Sequence, residues 1–242
     1  MTATRPTTAL FEPAQLAGLP APVVRYFTFA LTPGLPLLRG GRLEQLGEFA
    51  LRPGAWRPMR AEQRVSVSPP AFEWRASIRL LPGVVLRVHD GYASGRAWMR
   101  AALGGVIPVM HRRDTPGLAE GALLRWLAEA PGIPTALLPG AGVRWEAIDD
   151  ATARATITDA GLTVSMDAHF GARGEIVRVT ALRHRDVKGI GVPTPFEGRC
   201  ADYQRIRGMM VPTCSEAAWL LPEGAHAFWR ARLARATYEP AA

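Results

Sequence analysis

Hydrophobic and polar positions alternate along most of this chain with a period of two. In "MRAEQRVSVS" the row Met59, Ala61, Gln63, Val65, Val67 stands against Arg60, Glu62, Arg64, Ser66, Ser68. In "FEWRASIRL" the row Phe72, Trp74, Ala76, Ile78, Leu80 stands against Glu73, Arg75, Ser77, Arg79. Successive side chains of a strand point to opposite faces, so such rows predict a sheet that is dry on one side and wet on the other. Turn signals such as "RPGAW", "SPP", "LPG", "ASG", "DDA", "DAG", "ARG" and "IRG" separate the runs. Strands are predicted at 42–51, 59–68, 72–80, 84–92 and 96–102. A second group is predicted at 143–149, 152–158, 161–170, 174–184, 195–204, 208–220 and 226–238. This spacing points to an antiparallel meander rather than βαβ units.

Two stretches change to a helical period. "LPAPVVRYFTFAL" places Val23, Phe27 and Leu31 on one helical face. "DTPGLAEGALLRWLAEAPG" begins with Thr115 as a cap and Pro116 at the first helical position, and presents Leu118, Ala122, Leu123, Trp126 and Leu127 on one face. "IPTALLP" follows as a short turn. The expected fold is mainly β with a smaller α part: a large curved antiparallel sheet or open half-barrel, with a few helices covering its concave side. Residues 1–12 are expected to form a flexible tail, and residues 13–240 a single β-rich domain with a central helical segment at 115–139.

Composition narrows the partners. With 242 residues and 48% hydrophobic content, the chain can fill a sizeable core. The formal charge of +8 is almost entirely arginine, Lys188 being the only lysine, and the arginines are scattered from Arg5 to Arg235. A nucleic-acid surface gathers its cations on one helix or stripe, so no nucleic-acid partner is expected. No apolar run approaches the roughly 20 residues of a membrane span. The start "MTATRPTTALFEPAQ" lacks the basic and apolar regions of a secretion signal, so a cytoplasmic location is expected. Cys200 and Cys214 are too few for a disulfide framework, although a hairpin turning near Gly208 would bring their strands together.

Candidate chemistry is sparse. The chain has no G-x-S-x-G elbow, H-E-x-x-H, P-loop or G-x-G-x-x-G after a strand. His89, His111, His169, His184 and His226 are isolated, so neither a metal site nor any cofactor is expected. The misplaced acids are more informative. In "VVLRVHDGY", Asp90 continues the apolar row Val84, Leu86, Val88, and Gly91 beside it permits a close backbone approach. Such an acid must be paired, hydrogen-bonded or neutral, and is expected to tie the sheet to the helical segment through backbone amides or an arginine. Tyr92 resumes the row and is expected to pack over that pair. On the central helix Arg125 lies four residues before Glu129, a spacing at which the two pair along one face.

Several stretches resemble a bacterial family described as a domain of unknown function. They are "GEF", "MRAEQ", "FEWRASIRL", "LLRWLAEAPGIPTALLP", "VRWEAIDDATARATITD", "PTPFEGRCADYQRIRGMMVP" and "EAAWLLPEGAHAFWRARL". The likeness runs from about residue 22 to 238 and brings no activity with it. The order of elements is also similar to that of the periplasmic lipoprotein carriers, in which an incomplete barrel closed by helices surrounds an apolar cavity. This likeness is of architecture, with no shared motif, and it implies a cavity rather than a function.

Three readings follow. In the first, the concave sheet binds a hydrophobic or amphipathic, lipid-like small molecule without catalysis, lined by Phe72, Trp74, Ile78, Leu86, Asp90, Tyr92, Trp126, Glu129, Trp145, Phe196 and Trp219. In the second, the cavity is an enzyme site with Glu129 or Asp90 as general base and Arg125 holding an anionic substrate. In the third, the wet face docks on an acidic partner or an anionic membrane surface through Arg60, Arg64, Arg75 and Arg79.

Overall fold

A computed structural model describes residues 9–115, 117–187 and 189–241. Among the described residues thirteen strands follow one another: β1 (Leu38–Ala50), β2 (Trp56–Ser66), β3 (Ala71–Leu81), β4 (Val84–Ala93), β5 (Arg96–Leu103), β6 (Ile107–Arg113), β7 (Arg144–Asp149), β8 (Thr152–Asp159), β9 (Leu162–Phe170), β10 (Ile176–Val187), β11 (Ile190–Ile206), β12 (Met209–Leu221) and β13 (Gly224–Pro240). Helix α1 (Ala21–Ala30) precedes them, and α2 (Leu118–Glu129) stands between β6 and β7. All strands join one antiparallel sheet in the order β6-β5-β4-β3-β2-β1-β13-β12-β11-β10-β9-β8-β7. Two series of hairpins are thus fused where β1 pairs with β13, and the edges β6 and β7 are the two strands that flank the helical segment in sequence.

That topology dictates the curvature. Helix α2 touches β3, β4 and β5 on one half of the sheet and β9 and β10 on the other. At roughly 4.8 Å per strand, nine steps of a flat sheet would separate β5 from β9 by roughly 43 Å. A helix of 12 residues is only about 18 Å long. The sheet therefore curls until both halves reach one helix, the ordinary fate of an open sheet beyond about ten strands.

The dry rows face this interior. Phe72, Trp74, Ala76 and Ile78 are buried on β3, while the intervening Arg75 and Arg79 are exposed. From α2, Leu123, Leu124, Trp126 and Leu127 fill the space under the helix, and Trp126 Nε1 donates to the Ser66 carbonyl at 2.9 Å. Three short 3-10 turns between Ala130 and Ala141 continue the segment, with Ile133, Ala136, Leu137 and Leu138 buried.

Several expectations need correction. The N-cap of α2 is Gly117, in the left-handed region at φ 77°, with no side-chain cap, so Thr115 does not cap it; Pro116 lies outside the described residues. Residues 1–8 of the expected tail also lie outside them, but Phe11 is buried and exchanges backbone hydrogen bonds with Leu35 and Gly34, and Leu10 bridges Pro36. Strand β6 carries no period-two signal, because Ile107 and Val109 are exposed at the sheet edge and Pro108 interrupts the run. Cys200 and Cys214 do lie on one hairpin, but Cys200 pairs with Ser215 and Cys214 with Ala201. The one-residue offset sends the sulfurs to opposite faces, and both are free.

Candidate functional site

Between α2 and the sheet lies a cavity of about 420 Å³, within the range of small-molecule sites. Register explains why it is hollow. One cross-strand row runs Gly47, Ala231, Ser215, Cys200 over β1, β13, β12 and β11. A Cβ added to Gly47 would lie 3.0 Å from that of Ala231 and would clash with the Arg230 carbonyl, so no larger residue fits there. A glycine and three short side chains in a row leave a floor without bulk, and aromatic residues stand around it: Phe72 and Trp74 on one side, Phe196, Trp219, Phe228 and Trp229 on the other. Trp219 stacks on Phe228 with ring centroids 5.3 Å apart.

A single polar chain crosses this apolar interior. Trp74 Nε1 donates to Gln45 Oε1 at 3.0 Å, Gln45 Nε2 to Gln63 Oε1 at 3.3 Å, and Gln63 Nε2 to Glu129 Oε2 at 2.5 Å. Arg125 completes it, donating from Nε to Glu129 Oε1 at 2.7 Å and from Nη1 to Asp90 Oδ2 at 2.6 Å. The Arg125 guanidinium lies 4.9 Å from the ring centres of both Phe72 and Trp74. The network ties β3, β1, β2 and β4 to α2, which is the tie expected of Asp90. It ends unfinished, since the buried Asp90 Oδ1 has no hydrogen-bond partner.

Electrostatics follow from burial. Asp90 is 7% exposed, and desolvation raises its carboxyl above the ordinary range; Arg125 opposes the rise and Glu129 adds to it. Burial also counts against the Arg125 charge, but Glu129 and Asp90 outweigh it and hold the guanidinium protonated. Because the fold keeps the Asp90 proton to higher pH than the unfolded chain, the native state binds more protons above the reference value of 3.8. The stability this contributes is fully present below that value and is lost as pH rises through the folded one. Urea unfolding between about pH 4 and pH 7 should therefore show the parent losing stability relative to Asp90→Asn as pH rises. The opposite slope would mean that attraction to Arg125 outweighs burial.

Of the residues expected to line the site, Phe72, Trp74, Ile78, Leu86, Asp90, Glu129, Phe196 and Trp219 do line the cavity, as does Arg125. Three do not. Tyr92 is fully buried and, instead of packing over the ion pair, donates to Asp159 Oδ2 on β8 at 2.6 Å. Trp126 lies beneath the helix, and Trp145 donates to the Leu137 carbonyl at 2.9 Å under the 3-10 turns. Large aromatics in the dry row serve core and cavity alike, and these three serve the core. Asp202, two residues after the inward Cys200 on β11, turns outward because its φ of 51° breaks the alternation, and it pairs with Arg232 at 3.2 Å. On the wet face Arg75 pairs with Glu73 at 2.6 Å and Arg64 approaches Glu62 at 3.5 Å, so acids interleave with these two arginines; Arg60 and Arg79 are exposed.

Sequence reasoning missed Gln45, Gln63 and, most consequentially, Arg183 and Arg185. On β10 the row Val179, Ala181, Arg183, Arg185 points inward, Ala181 standing beside Phe196 of β11. This is the signal that exposed Asp90, a charge continuing an apolar row, and it is equally visible in "VTALRHR".

Fold and site define a mainly β protein whose single open antiparallel sheet encloses an apolar cavity crossed by one buried ion-pair network. The profile described as "Family of unknown function (DUF6920)" matches residues 17–238, and the chain belongs to that family. Among solved structures the chain is similar to a LolA superfamily protein from Nitrosomonas europaea, at 12% sequence identity and a TM-score of 0.47, covering 91% of this chain and 93% of that one. No curated protein matches the chain. No helix among the described residues is long and apolar enough to cross a membrane, and among them no three His, Cys, Asp or Glu side chains converge as a metal site would require.

Proposed function

We propose that the protein binds an apolar or amphipathic small molecule in the cavity, without chemistry, and that α2 covers the concave side of the sheet as the wall that retains it. The observation carrying this reading is the hollow itself: about 420 Å³ with a floor of small residues and walls of aromatics. An interior that served only stability would place bulk on that floor, because voids forfeit packing contacts.

The polar groups favour binding over catalysis. Glu129 is held by Gln63 and Arg125, and Asp90 by Arg125, so both candidate bases are engaged in a structural network. Arg125, cast by the enzyme reading as the holder of an anionic substrate, already has two carboxylates. Burial pushes the Cys200 thiol up to about 12, which leaves it without nucleophilic thiolate at neutral pH.

Titration with the neutral fluorophore N-phenyl-1-naphthylamine tests the reading. The expected result is one saturable site with enhanced emission, abolished by unfolding in urea. Emission that rises without saturation, or stays at the level of the unfolded chain, would contradict it.

A further inference from the structure

Arg183 stands apart from Arg125 and Arg199, the paired arginines that also line the cavity. Its Nε donates to the Gly121 carbonyl of α2 at 3.0 Å, and its guanidinium lies 5.1 Å from the ring centre of Phe196 and 5.6 Å from that of Trp219. Among the described residues it makes no ion pair, and its two terminal amino groups make no hydrogen bond. The two carboxylates whose charge reaches it, Glu129 and Asp90, are both held by Arg125. Arg185, two residues along the same inward row, also lines the cavity, and its Nε is buried without a hydrogen-bond partner. The acids flanking this pair are engaged elsewhere, Glu120 with His184 at 3.1 Å and Asp186 with Arg112 at 3.0 Å.

Burial holds the Arg183 pKa down at about 10, and repulsion from Arg125 works in the same direction, against the opposing pull of Glu129 and Asp90. A guanidinium without a counter-ion in apolar surroundings is unfavourable unless something completes it. Its planar fork of donors matches a carboxylate or phosphate, and such charge-assisted pairs are the strong ones.

We propose that the compound held in the cavity is an amphiphile with an anionic oxyanion head, carboxylate or phosphate, bound by Arg183 and Arg185, and that its apolar chain occupies the remaining hollow. This rests on the cavity-binding reading above and adds the class of ligand. The cations that would recognise the head stand on the same wall as the aromatic pair Phe196 and Trp219, so one ligand reaches polar and apolar partners together.

Displacement of bound N-phenyl-1-naphthylamine by dodecanoate, dodecyl phosphate and dodecan-1-ol tests it, since the three share a chain and differ in the head. At least one anion should displace the fluorophore from the parent at a concentration about tenfold or more below that of the alcohol, the ratio expected of a charge-assisted hydrogen bond. The better anion identifies the head. Arg183→Met combined with Arg185→Met should erase this preference, so that the anions and the alcohol displace the fluorophore at similar concentrations, and Arg183→Lys should retain part of it. Equal displacement by alcohol and anions in the parent, which requires no variant, would overturn the anionic head and leave the cavity reading intact. A preference that persists in the folded double variant would overturn the assignment of the head to Arg183 and Arg185. Failure of the parent to bind the fluorophore at all would overturn both.

Discussion

Replacing Arg125 with methionine should lower the unfolding free energy by about 3 to 5 kcal/mol, the largest stability effect expected of any single side chain in the cavity. The reason is what the change leaves behind. Asp90 and Glu129, now 2.6 and 2.7 Å from the guanidinium, would lose their shared counter-ion, and Asp90 Oδ1 already lacks a partner. The methionine chain can still pack against Phe72 and Trp74, so lost packing contributes less than stranded charge. In a chain of this size the melting temperature should fall by on the order of 10 °C. Removing the stranded charges in the same chain, as Asp90→Asn, Arg125→Met, Glu129→Gln, should recover a large part of the loss, because replacing a whole buried ion-pair group is far less damaging than removing one member. A single Arg125→Met variant as stable as the parent would show that the network does not tie α2 to the sheet.

The second large effect concerns binding. Ala231→Phe should reduce affinity for N-phenyl-1-naphthylamine by about 100-fold or more, on the order of 3 kcal/mol. Ala231 sits in the small-residue row between Gly47 and Ser215 and lines the cavity, so a ring placed there rises into the hollow instead of into packed core. Stability should change by less than the roughly 1 to 3 kcal/mol typical of overpacking a filled interior. Circular dichroism and urea unfolding would establish that the fold survives. Undiminished fluorophore binding in the folded variant would place the bound dye elsewhere on the molecule.

The parts of this structure legible in sequence are those that a period can carry. Rows such as Phe72, Trp74, Ala76, Ile78 fix which face of a strand is dry, and they locate twelve of the thirteen strands within a few residues. Strand β6 escapes because a partly exposed edge strand need not alternate. Asp90 is legible as a charge in an apolar row, and its partner Arg125 through its spacing to Glu129. Arg183 carries the same signal as Asp90, yet "ALRHRDV" also reads as the polar end of a strand, since Leu182, the apolar residue beside it, points outward. The cavity itself is not legible from one strand at a time. Gly47, Ala231, Ser215 and Cys200 are unremarkable where each stands in the chain, and only the register across four strands assembles them into a floor. For the same reason the sequence does not separate Trp74 and Trp219, which border the hollow, from Trp126 and Trp145, which fill the core.

Native mass spectrometry of the parent and Ala231→Phe, expressed in the same cells and purified side by side without detergent or extraction, tests the central claim most directly. The parent should carry one apolar or amphipathic compound, released as a defined mass on activation, and the filled variant should be bare. A parent that emerges as bare polypeptide in every preparation, or a filled variant carrying the same compound to the same extent, would contradict it.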